Sequence, residues 1–215
     1  MILKPTVQEG FSFVYEIMPT AKTTNGEEKM YKIFIDQGHN PRNPNAGAEG
    51  NGFREQDIVY RIGVLTAELL NADSNFSAEL SRDTPEQILG TSNATSLKAR
   101  VDEANAYGAD FFISLHTNAS VLPEASGSEG YAYSRESAGY AMGEAILRAL
   151  NETTGLENRG MFVRPSLYVL RKTKMPAVLM ELGFITNAYD AELMAYSPQL
   201  FAIGTYNGIR SYYGL

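Results

Sequence analysis

Three largely apolar runs stand out along the chain: Ile33-Phe34-Ile35, the segment from Phe111 to Leu115 with Ser114 its one polar residue, and Ala177-Val178-Leu179-Met180. Each reads as a strand covered on both faces, because a half-solvated strand would alternate apolar and polar residues. Each also ends in chemistry. The first leads into Asp36-Gln37-Gly38-His39, the second into His116 and the third into Glu181. Between the runs the period lengthens to that of a helix. Ile58, Ile62, Leu65 and Leu69 predict a buried face on a helix opening near Phe53 or Arg54. Leu97, Val101 and Ala104 do the same from Ser96 to Tyr107, with Gly108 as the stop. Ala138 to Leu150 packs through Ala141, Ala145 and Leu150. Asp190 to Tyr196 and Pro198 to Tyr213 close the chain, with Phe201, Tyr206, Ile209 and Tyr213 at core spacing. Shorter strands are expected at Phe76 to Ser81, at Gly130 to Tyr133 on a sheet edge, and at Ser166 to Leu170; Pro41 to Gly52 and Thr153 to Pro165 read as loops. Strands alternating with helices predict an α/β fold. It is a single three-layer domain, a mostly parallel twisted sheet of about six strands with helices on both faces.

The first thirty residues break this pattern. Phe11 to Tyr15 alternates aromatic and small residues like a short strand, and Pro19 to Glu28 is polar and rich in turn formers. Residues 1–30 are therefore expected to be an appendage or linker to a domain spanning 31–215. At 215 residues the chain has room for one large core. Its net charge of −7 excludes nucleic acid and anionic membrane as main partners. No apolar run reaches the roughly 18 residues of a membrane span. The N-terminus lacks a basic start and apolar core, so no signal peptide is expected. Cysteine is absent, so a metal would have to be held by His, Asp or Glu.

The composition sharpens the strand ends. The chain has two histidines, His39 and His116, and both follow a hydrophobic strand. Glu55 stands three residues before Ile58 and seven before Ile62, which puts it on the inward face of its helix. A buried acid is costly unless a cation meets it. The ordinary reading is a first-turn Glu complementing the helix dipole; a histidine on the preceding strand favours a metal ligand. Two His and one carboxylate form a catalytic zinc set with one position left for water. Glu181, at a third strand end, has the type and place of a general base. A lone His after a strand is more often a hydrogen-bonding loop residue, and no compact His-Glu-x-x-His signal is present. From pattern alone a metallohydrolase and a soluble α/β binding domain both stay open.

The order of motifs adds a resemblance. Ile33 to Pro41, Glu55, Leu80-Ser81-Arg82, Ala99-Arg100 with Ala104-Asn105, Gly108 to Ala119, Gly127 to Tyr131, Arg159-Gly160, Leu167 to Arg171 and Pro176 to Asn187 together resemble the zinc-dependent N-acetylmuramoyl-L-alanine amidases of bacterial cell walls. The resemblance covers about Tyr31 to Leu215. It implies hydrolysis of the amide between N-acetylmuramic acid and L-alanine in peptidoglycan, with Zn²⁺ as cofactor. It implies metal ligands His39, Glu55 and His116, and Glu181 as the catalytic acid and base. It implies peptidoglycan as partner, a place outside the cell at the wall, and a monomer. The alternatives are another zinc peptidase or deacetylase of wall material, and a non-catalytic peptidoglycan-binding domain. Two positions depart from the family pattern: Asn40-Pro41 replaces the usual glycine after the first histidine, and Gln37 stands where proline is common. The loop after His39 is therefore expected to differ, and Glu49 competes with Glu55 as a ligand. Glu55 is preferred for its register with the apolar face.

Overall fold

The computed structural model describes residues 30–215. The expected strand and loop before Met30 lie outside the described residues. In chain order the elements are β1 (Tyr31–Gln37), β2 (Glu49–Gly50), β3 (Phe53–Arg54), α1 (Glu55–Ala72), β4 (Phe76–Leu80), α2 (Asn93–Tyr107), β5 (Phe111–Asn118), β6 (Ser128–Ala132), α3 (Ala138–Thr154), β7 (Asn158–Val163), α4 (Tyr168–Lys172), β8 (Ala177–Phe184), α5 (Ala188–Tyr196) and α6 (Pro198–Tyr213). Six strands form one sheet in the order β4-β1-β5-β8-β6-β7. β4, β1, β5 and β8 run parallel; β6 pairs antiparallel to β8, and β7 follows β6. This is the expected three-layer α/β domain.

Strand alternation sorts the core into two layers. Ile33, Ile35, Ile113, Leu115, Val178 and Met180 face a core shared with α1, α3 and α6. Phe34, Phe112, Ala177 and Leu179 face the opposite way and pack with Val101, Val169 and Leu170 of α2 and α4. Phe34 and Phe112 stack at 5.8 Å between ring centroids. Burying each such ring contributes roughly 2–3 kcal/mol. Period two carries this second face onward through Asp36 on β1, Ser114 and His116 on β5, and Glu181 on β8. The apolar part of the face lies under the helices. The polar part continues past them.

Local signals fix most helix ends. Ser92 opens α2 in a capping box with Thr95, and Gly108 closes it in the left-handed region at φ 69°. Ser137 caps α3. With Ser92 as its cap, α2 begins at Asn93, one turn before the expected Ser96. α3 buries Met142, Ala145, Ile146, Ala149 and Leu150, while Ala141, expected inward, is exposed.

Six expectations are corrected. Residues 41–52 hold half of a small hairpin, β2 with β3, turned at Asn51 and Gly52 with φ 52° and 81°. Two positive φ angles are the signature of a type I′ turn, and Asn-Gly is its preferred pair. β5 does not stop at Leu115, nor β8 at Met180. The two strands hold each other through His116 and Glu181, which sit opposite one another in register. The strand at Ser128–Ala132 is interior, because β7, expected as loop, lies outside it. Tyr168–Lys172 is helical, not a strand. Its aromatic and β-branched residues suit a strand locally, yet Val169 and Leu170 bury side by side onto the sheet, which a helical turn allows.

Candidate active site

β1 ends at Gln37, and the chain turns through Gly38 to His39, whose φ of 66° lies in the left-handed region. A non-glycine residue held there costs roughly 1–2 kcal/mol. Gly38 must be glycine: a Cβ on it would stand 2.5 Å from Cε1 of His116. That close approach lets the two imidazoles meet, with ring centroids 4.8 Å apart and planes at 78°. Asn40, the departure from the family pattern, is fully buried. Its side chain donates to the carbonyls of Leu89 and Pro44 at 3.0 and 2.7 Å and accepts from the Leu89 amide at 3.0 Å. It pins the loop to the segment ahead of α2, a job glycine could not do.

The hairpin then delivers Glu55 as the first residue of α1. Glu55 is 3% exposed. Its Oε2 accepts from the Ala48 amide at 2.9 Å and its Oε1 from the Thr117 amide at 3.0 Å. Oε1 also lies 3.1 Å from Nε2 of His39 and 3.0 Å from Nδ1 of His116. Burial pushes this carboxyl up, but hydrogen bonds from His116 and His39, with their charge, win and hold it well below the usual range. Glu49, the rival, is exposed on β2 and belongs to the hairpin through its backbone. One ligand atom from each of His39, Glu55 and His116 lies within 4.8 Å of the others. Two nitrogens and a carboxylate oxygen are donors that suit zinc, and the backbone bonds to Glu55 and the turn at Gly38 already fix their approach.

Glu181 stands opposite His116 across the β5–β8 pair. Its Oε2 is buried and accepts no hydrogen bond. Burial first, then the negative charges of Glu55 and Glu129, push its carboxyl up to about 8. A divalent cation on the neighbouring trio would pull it down again. Glu129, opposite Glu181 on β6, is 7% exposed and fully engaged. It accepts from Asn118 Nδ2 at 2.8 Å, Tyr131 OH at 2.5 Å and Arg159 Nε at 2.9 Å. The sequence pattern gives Glu129 no role, because the strand expected from Gly130 begins two residues earlier, at Ser128. Its alternation with Tyr131 was the available signal. Arg100 and Asp36, which the sequence offers only as parts of separate motifs, form a fully buried ion pair at 2.6 Å beneath the His39 loop.

With this geometry in hand, comparison with known proteins decides the family. The N-acetylmuramoyl-L-alanine amidase family profile matches residues 33–211. This chain belongs to that family. N-acetylmuramoyl-L-alanine amidase CwlM of Bacillus licheniformis is 35% identical over 194 residues, covering 86% of this chain and 70% of the relative. An endolysin of Bacillus phage SPP1 is 34% identical over 169 residues, covering 75% of this chain and 58% of the relative. The solved catalytic domain of the amidase CwlV, from Bacillus (Paenibacillus) polymyxa, superimposes with a TM-score of 0.75 at 28% identity, over 86% of this chain and 99% of that one. The amidase fold thus accounts for the sheet.

Proposed function

We infer that His39, Glu55 and His116 hold a zinc ion and that Glu181 moves the proton, in an amidase that cuts the amide between N-acetylmuramic acid and L-alanine of peptidoglycan. The observation that carries the assignment is the convergence of the three donors on one point, beside a buried carboxyl with an unpartnered oxygen. Zinc bound there would supply an electrophile that acidifies water and polarises the scissile carbonyl. Glu55 brings one negative charge to the site and keeps it, since its carboxyl stays ionised far below neutral pH. The Ala48 and Thr117 amides stop it from rotating away. Glu181 takes a proton from the attacking water at its buried carboxylate and delivers it to the nitrogen of the departing L-alanine. Its buried Oε2, which has no hydrogen-bond partner, is free to hold that proton between the two transfers. Glu129 is engaged by three donors of its own.

The catalytic domain we assign is residues 31–215, in line with the first strand at Tyr31 and the family match from 33 to 211. All four groups come from one chain, so a monomer suffices. The enzyme works at the bacterial wall, outside the membrane, in keeping with wall-amidase and endolysin relatives. No helix among the described residues is long and apolar enough to cross a membrane. Digestion of purified peptidoglycan tests the bond. New L-alanine N-termini without new reducing sugar ends are expected. Peptides beginning at another residue, or released acetate, would assign the same site to a peptidase or a deacetylase.

A further inference from the structure

The turn that presents His39 is gripped from beneath by a cation with no part in the chemistry above. Arg100 lies on the inward side of α2 and is 1% exposed. Its Nη1 donates to Asp36 Oδ1 at 2.6 Å, to the Gln37 carbonyl at 2.6 Å and to Ser81 Oγ at 3.2 Å. Its Nη2 donates to the His39 carbonyl and to Asn40 Oδ1, the latter at 3.4 Å. Asp36 is held from its other side by Ser114 Oγ at 2.6 Å. An ion pair that only tied α2 to the sheet would need Asp36 alone. Here the guanidinium also takes the carbonyls on both sides of Gly38, across the turn that puts His39 at φ 66°. That turn fixes the direction of the His39 ring, whose Nε2 faces Glu55.

We propose that Arg100 is a positioning residue for the metal ligand His39: its guanidinium locks the Gln37 and His39 carbonyls so that the imidazole stands preset for the cation. This rests on His39 being a ligand, as proposed above. The chemistry asks for arginine. A planar fork with five donors can hold a carboxylate and two carbonyls together, whereas a lysine ammonium can neutralise Asp36 but cannot span both carbonyls. Asp36 and Ser114 aim the fork, and Asn40 couples it to the segment at Leu89.

Arg100→Lys and Ser114→Ala test this on the folded full chain. The readouts are the zinc dissociation constant by competition with a chromophoric chelator, the visible spectrum of the Co²⁺ form, and far-UV circular dichroism. Arg100→Lys should keep its dichroism, bind zinc roughly 10–100-fold more weakly and change the cobalt spectrum, as outer-shell changes do. Ser114→Ala should weaken zinc several-fold. If Arg100→Lys lowers only the melting temperature, with unchanged zinc affinity and cobalt spectrum, Arg100 is structural and the proposal falls. If Arg100→Lys does not fold, Ser114→Ala decides, and unchanged affinity there overturns the proposal. Wild-type protein that binds no zinc, or His39→Ala that binds it as tightly as wild type, would overturn the ligand assignment itself and this inference with it; that failure shows before Arg100 is touched.

Discussion

At the scale of single residues, the site is built from short-range necessities. Gly38 is the sharpest. Gly38→Ala would drive a methyl group into the His116 ring, at 2.5 Å, so the rings must part. Zinc affinity is expected to fall at least tenfold while the sheet stays folded, read by chelator competition and circular dichroism. His116→Ala should abolish stoichiometric zinc by elemental analysis. Glu181 makes a prediction about pH. In the metal-free protein its carboxyl keeps its proton up to about 8, against an ordinary value of 4.5. Between those values Glu181 binds more proton in the folded chain than in the unfolded one, so its contribution to stability is lost as pH rises from about 4.5 to about 8. Glu181→Gln removes that titration. The metal-free variant should therefore melt higher than wild type at pH 8, with the gap closing near pH 4; parallel melting curves across that range would contradict it. Both histidines, Glu55 and Glu181 were legible in the sequence, because each follows an apolar run or sits in helical register with one. Asp36 follows the first apolar run and Arg100 falls in register with Leu97 and Ala104, but nothing local signals that the two pair across 64 positions.

At the scale of elements, the central strands were readable and the edges were not. β1, β5 and β8 are buried on both faces, so their runs are almost wholly apolar, with Ser114 the one polar residue among them. β7 carries Asn158, Arg159 and Gly160, and as an edge strand it needs no apolar run, so pattern alone passed it over. Tyr168–Lys172 reads as a strand from local preference and is helical because tertiary packing overrides that preference. The hairpin before α1 was signalled by Asn51-Gly52 but hidden by a stretch dense in glycine and asparagine. It matters for function, since it sets where Glu55 begins α1. Gly52→Ala at φ 81° should cost about 1 kcal/mol of stability. It should weaken zinc by a smaller factor than Gly38→Ala, because the Glu55 oxygens are also held by Ala48 and Thr117. Ser92→Ala, which breaks the α2 capping box, should likewise cost about 1 kcal/mol in chemical denaturation and leave zinc affinity within twofold.

At the scale of the whole molecule, one sheet face serves two purposes. Its apolar half, Phe34, Phe112, Ala177 and Leu179, anchors α2 and α4. Its continuation, through Asp36, Ser114, His116 and Glu181, carries the ion pair and the site. Metal and fold are therefore coupled. Zinc at a thousand times its dissociation constant should stabilise the folded chain by about 4 kcal/mol, and a chelator should lower the melting temperature accordingly. The three-layer architecture was legible because βα alternation leaves few alternatives; the family came from motif order, which no single motif could have supplied. The most direct test of the account measures the release of L-alanine N-termini from peptidoglycan by Glu181→Gln protein shown to carry one zinc per chain. The account predicts a rate at least a thousandfold below wild type; a rate within tenfold of wild type would contradict it.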